Sequence, residues 1–100
     1  MPLNPVLSGA AQIATNQVSV VTTTPTAIIG PRSSRRGVII ENVTGTDTVY
    51  LGTNAVTTTK GYPLPAVANA SVYIPTTTAI YGIVTTSAQT VGVMEIFDQG

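Results

Sequence analysis

Apolar residues run along this chain in short alternating pulses rather than in the three-and-four spacing of a helix. Residues 37–43 are the clearest case. Val38 and Ile40 point to one side and Ile39 and Val43 to the other, the two-residue period of a half-buried strand. Similar pulses fall at residues 12–23, bent near Asn16 and extended past Pro25 by 27–29, and at 48–52, with Val49 and Leu51 facing inward. Others follow at 71–74, 79–85 and 90–97. Thr44-Gly45-Thr46-Asp47 reads as the turn of a hairpin joining 37–43 to 48–52, because Gly supplies unusual dihedrals and Asp bonds its own backbone. Residues 53–69 read as a long connection with local turns at Lys60-Gly61 and Pro63-Leu64-Pro65. No stretch sustains apolar positions at i, i+3, i+4 and i+7, so helices are not expected. Six or seven short strands punctuated by Gly and Pro predict an all-β domain, a single β-sandwich or jelly-roll-like barrel, over residues 12–100.

The last pulse contains a conflict. Alternation sets Val91, Val93 and Phe97 on one face against Met94 and Ile96, and it places Glu95 among the inward set. An inward carboxylate there implies a bulge that shifts the phase, an arginine partner, or a position at the sheet edge.

Residues 1–11 stand apart, with Pro2 and Pro5, no charge, and the apolar set Leu3, Val6 and Leu7. They read either as a frayed terminus or as an extended arm lying in a groove of a neighbouring subunit. In the second case Leu3, Val6 and Leu7 are the anchors, each contributing about 1.5–3 kcal/mol before ordering costs.

Composition sharpens this picture. The chain holds 18 Thr and 13 Val, residues that lose rotamer freedom in helices and suit pleated surfaces. Charged residues make up only 8% with zero net charge, against about 25% in ordinary soluble domains. So little charge protects a free monomer poorly against association, and the surface is expected to be covered by neighbouring subunits. Neutrality also argues against nucleic acid or an anionic membrane as partner. Without cysteine or histidine, disulfides, thiolate metal sites and the commonest general base are excluded, and no cofactor is expected. The opening MPLNPVLSGAAQIA has no basic segment and does not read as a secretory signal. Residues 61–94 carry no charge, but Gly61, Pro63, Pro65, Pro75 and Gly82 divide them, which argues against a transmembrane helix.

Candidate chemistry is sparse. Arg32, Arg35 and Arg36 hold three of the four positive charges. They read as a solvated loop, or as contacts to carboxylates of a partner or to Glu41 and Glu95 of a second copy. Three cations without interleaved aromatics make a weak nucleic-acid patch, and no glycine-rich phosphate loop accompanies them. The threonine triplets at 22–24, 57–59 and 76–78 lack the regular repeat of an ice-binding surface and read as strand ends and loops. Asn42-Val43-Thr44 and Asn69-Ala70-Ser71 match the glycosylation pattern but read as structural. Ser33 and Ser34 have no histidine to activate them. Glu41 and Glu95 form an acid–base pair only if they face each other, so an enzyme is not expected. Tyr73 and Tyr81 fall out of phase with Val72, Ile74, Ile80 and Val84. They are candidates for an exposed pair that stacks a sugar, or for a subunit interface, where tyrosine is enriched.

Several motifs together resemble a known class. Arg35-Arg36-Gly37-Val38-Ile39-Ile40-Glu41-Asn42, Asp47-Thr48-Val49-Tyr50-Leu51-Gly52 and Val56-Thr57-Thr58-Thr59-Lys60-Gly61-Tyr62-Pro63-Leu64 are followed by Ile80-Tyr81-Gly82-Ile83-Val84 and Val91-Gly92-Val93-Met94-Glu95. This pattern is similar to small all-β virion proteins of tailed bacteriophages, and most resembles head decoration (cement) proteins. The related pattern often has glutamine where Glu41 stands. The resemblance implies a trimer or dimer that binds the major capsid protein on the outer surface of the virion head and bridges capsomers. Leu3, Val6, Leu7, Arg32, Arg35 and Arg36 would then make the partner contacts. The alternative is a tail or fibre component with Tyr73 and Tyr81 at a glycan site.

Overall fold

The computed structural model describes residues 11–22 and 24–98. They form eight strands: β1 Ala11–Val20, β2 Thr26–Ile29, β3 Arg35–Asn42, β4 Val49–Gly52, β5 Tyr62–Leu64, β6 Ala70–Ile74, β7 Ile80–Val84 and β8 Gln89–Asp98. Two four-stranded sheets result, in the orders β1-β8-β3-β6 and β2-β7-β4-β5, and all pairings are antiparallel. First pairs with last, second with seventh, third with sixth, fourth with fifth. These nested pairs are a long hairpin wound over itself, the jelly-roll arrangement of a β-sandwich.

The alternation read from the sequence locates the core. Val38 and Ile40 of β3, Val49 and Leu51 of β4, and Val91 and Val93 of β8 are all buried, joined by Val20, Ile28, Leu64, Ile80 and Val84. The core is aliphatic, and none of Tyr50, Tyr62, Tyr73, Tyr81 and Phe97 is buried. Each interior Val, Leu or Ile contributes about 1.5–3 kcal/mol by leaving water. Residues 61–94, uncharged throughout, fold into β5, β6, β7 and part of β8, and among the described residues no helix is long and apolar enough to cross a membrane.

Three local expectations are corrected. Strands β3 and β4 are not a hairpin, because they belong to different sheets. The Gly45–Asp47 segment carries the chain across the end of the sandwich. Gly45 has φ +73°, and a Cβ there would strike the backbone of Ala68. The buried Asn42 secures the crossing. Its Nδ2 donates to the carbonyls of Asp47 (2.9 Å) and Pro65 (3.0 Å), and its Oδ1 accepts from the Gly45 N–H (3.0 Å). Likewise residues 27–29 do not extend β1 but form β2 in the opposite sheet, and the connection 53–69 contains the short β5. The predicted arm lies outside the described residues, except Ala11, which opens β1.

The same end is closed by Asp47. Its Oδ2 accepts the Thr86 N–H (2.8 Å), the Thr86 hydroxyl (3.1 Å) and the Ser87 N–H (3.2 Å), while Oδ1 accepts the Thr48 N–H (2.9 Å). The Thr86 N–H leads in holding its carboxyl below the usual range, outweighing the opposing effect of desolvation. Gln89, fully buried, accepts the Thr46 N–H at 3.0 Å and donates to the Thr46 hydroxyl at 2.9 Å.

Candidate functional site

The arginine cluster occupies the other end, where β2 leads into β3 and β6 into β7. In β3 the pairing with β8 shifts between Arg35 and Gly37. This bulge turns Arg35 inward and Arg36 outward, the re-aiming that an extra residue in one strand produces. The Arg35 side chain is only 1% exposed. Its Nε donates to Glu95 Oε2 at 2.9 Å. Its terminal nitrogens donate to the carbonyls of Thr78 (2.8 Å), Thr76 (3.3 Å) and Gly30. Arg32, half-exposed, reaches the same Oε2 at 2.7 Å and lies over the Phe97 ring, 3.8 Å from its centroid. Arg36 pairs with Asp98 at 2.7 Å.

This geometry resolves the inward Glu95: an arginine partner accounts for it, and a bulge in the facing strand supplies that arginine. Burial alone pushes the Glu95 carboxyl up, but hydrogen bonds and charge from Arg32 and Arg35 hold it below the ordinary range. A carboxylate so held is a weak base. Glu41 lies on the outer side of β3, out of phase with the buried Ile40 and Asn42, whereas Glu95 is in the buried set of β8. The two do not face each other, so the acid–base pair is not formed.

The partner-contact set is corrected at one position. Arg35 is buried and engaged within its own chain, so it presents no guanidinium to a partner. Arg32 and Arg36 keep exposed side chains, 42% and 53% respectively, while also pairing within the chain. Leu3, Val6 and Leu7 lie outside the described residues.

The tyrosines do not form a pair. Tyr73 is on β6, opposite Ile39 of β3, and its ring lies across Gly37, where any Cβ would collide with it. Tyr81 is on β7 in the other sheet, opposite Ala27 and Gly52. Both alternate with core residues, so they stand on the two opposite outer faces of the sandwich. Topology, which the spacing of residues does not reveal, separates them.

Composition hinted at a feature that no motif located, the outer face of the β1-β8-β3-β6 sheet. One row runs Thr15, Met94, Ile39, Tyr73, and the row beside it Ile13, Ile96, Gly37. Ile13, Tyr73 and Met94 are exposed at 63%, 52% and 38%. The belt is bounded by Glu41 in the next row and by the Arg36–Asp98 pair at the other end. Beside it Gly92 leaves a hollow of about 340 Å³ lined by Thr15, Gln17, Ile39, Glu41 and Met94.

No protein-family model, no curated protein and no solved structure matches this chain.

Proposed function

We propose that this chain is a structural subunit of a larger assembly, a decoration (cement) protein that binds the outer surface of a phage head and stabilises it by bridging its subunits. The observation that carries this reading is the apolar belt of Ile13, Met94, Ile96, Ile39 and Tyr73 across one whole sheet, rimmed by charge. Contiguous exposed apolar surface marks an interaction site, and an apolar centre with a polar rim is the anatomy of protein interfaces. The scarcity of charge supports it further, since Arg32, Arg35, Arg36, Asp47, Glu95 and Asp98 are engaged within the chain. In this mechanism the belt meets the major capsid protein, Arg32 and Arg36 make rim contacts, and Leu3, Val6 and Leu7 anchor an N-terminal arm. Attachment needs shape complementarity over about 800 Å² per partner, repeated by symmetry, and no chemical step.

The test is quantitative mass spectrometry of virions carrying this protein, separated into heads and tails. A copy number comparable to the major shell protein in the head fraction is expected. A few copies in the tail fraction would assign the chain to the tail or fibre instead, and absence from both would overturn the assembly reading.

A further inference from the structure

The sandwich ends in four sheet edges, β1 and β6 in one sheet and β2 and β5 in the other. An edge strand offers unpaired N–H and C=O groups to any extended chain, and proteins blunt such edges with shortness, proline, bulges or charge. Three of the four are blunted. Strand β2 has four residues, lies between Pro25 and Pro31, and is broken by a register shift between Ala27 and Ile29. Strand β5 has three residues with Pro63 at its centre. Strand β6 has five and stops at Pro75.

Strand β1 has none of these devices. It runs for ten residues, AQIATNQVSV, with no proline and no charge. It pairs with β8 in unbroken register from Ala11↔Asp98 to Val20↔Gln89. Every residue from Ala11 to Gln17 is exposed, so neither face of that stretch is covered, and among the described residues no strand pairs with its outer edge.

We propose that this edge is a homotypic contact: β1 of a second copy adds to it antiparallel across a two-fold axis, joining two four-stranded sheets into one of eight. The occupant follows from the chemistry of the edge. A partner chosen by charge complementarity would find no charge on β1, whereas an uncharged strand is not repelled by its own copy. The copy also brings the one requirement of strand addition, a long free edge, and a two-fold contact satisfies both copies at once. In antiparallel pairing, opposite residues share a face, so the axis sets one residue opposite itself. For a strand spanning 11–20 that residue lies near Thr15 or Asn16. Because the axis is perpendicular to the sheet, the apolar belts of both copies then lie on the same side and form one surface. This contact does not rest on the shell reading and stands or falls separately from it.

Because the chain has no cysteine, single substitutions map the axis directly. Ala14→Cys, Thr15→Cys and Asn16→Cys are all at exposed positions, and residues facing each other across an antiparallel pair fall within disulfide reach. Under mild oxidation of the full chain at micromolar concentration, disulfide dimer should peak sharply at one of the three and be lacking for Thr59→Cys, an exposed loop control. Light scattering should give the unmodified chain twice its 10.3 kDa mass. Thr15→Lys, which brings two like charges together near the axis, should weaken the dimer up to about fivefold without changing the circular dichroism spectrum. A monomer at all concentrations would overturn the proposal. So would a trimer, a dimer indifferent to Thr15→Lys, or cross-linking of Thr59→Cys as efficient as at 14–16. Virion fractionation reads the shell function independently of each of these outcomes.

Discussion

Arg35 and Glu95 meet at 2.9 Å on the inner side of the sandwich, although simple alternation from Val38 and Ile40 would assign that side to Arg36. The bulge between Arg35 and Gly37 makes the exchange. It turns the guanidinium toward three loop carbonyls and one carboxylate, so that a single side chain ties the β2–β3 and β6–β7 connections to β8.

Removing Arg35 therefore differs from removing its neighbour. Arg35→Ala leaves a buried carboxylate with only the half-exposed Arg32 and frees the carbonyls of Thr76, Thr78 and Gly30. Loss of one partner from a buried pair costs about 3–5 kcal/mol. Arg36→Ala breaks an exposed pair with Asp98, and exposed pairs are worth about 1 kcal/mol or less. Urea midpoints at neutral pH separate the two, and equal shifts would show that the inner pair contributes nothing special.

The same pair gives the fold an acid limit. The carboxyls of Glu95 and Asp47 are both held below their ordinary values of 4.5 and 3.8. A depressed carboxylate binds fewer protons folded than unfolded, so its stabilisation is complete above the unfolded value and lost as pH falls through the folded one. Stability should be level from neutral pH to about 5 as far as these two groups are concerned, and then fall toward pH 3. Glu95→Gln should be less stable at neutral pH and show a shallower acid decline. A decline as steep as that of the unmodified chain would remove Glu95 from the account.

Much of this architecture was legible as alternation. Val38 and Ile40, Val49 and Leu51, and Val91 and Val93 name the inner faces of three strands, because a two-residue period survives any tertiary arrangement. What alternation cannot carry is phase after a bulge, hence Arg35, or which sheet a strand joins, hence the mistaken hairpin at Gly45–Asp47. The turn chemistry of a hairpin and of a crossing between sheets is the same; the close approach of Ala68 to Gly45 and the Asn42 bond to the Pro65 carbonyl appear only in the folded arrangement. Strand β5, three residues with a central proline, carries too little pattern to register. The outer belt was illegible for a different reason: Ile13, Ile39, Tyr73 and Met94 come from four strands and become neighbours only once the strand order is known.

Gly45 tests the crossing. Its φ of +73° disfavours any residue with a Cβ, and here the Cβ would also meet the Ala68 backbone. Gly45→Ala should cost about 2–4 kcal/mol, the dihedral and the overlap together. Hydrogen exchange should quicken first at the Gly45 and Asn69 amides, which bond to Asn42. A loss below 1 kcal/mol would mean the two loops separate easily, and the end of the sandwich would then be a soft element rather than a closed one.

The proposed shell attachment can be separated from folding by working on the belt. Ile13 and Met94 are exposed and stand outside the core cluster, so Ile13→Glu combined with Met94→Glu should change folding stability by only about 0.5 kcal/mol per site. In an interface, by contrast, two buried unpaired carboxylates oppose binding strongly, and occupancy on heads lacking this protein should fall at least tenfold. Deletion of residues 1–10, which removes Leu3, Val6 and Leu7 but no part of β1, should leave the thermal transition in place and lower occupancy through the arm alone. Full occupancy by the double variant would move the contact off this sheet. Full occupancy by the truncated chain would discard the arm while keeping the belt.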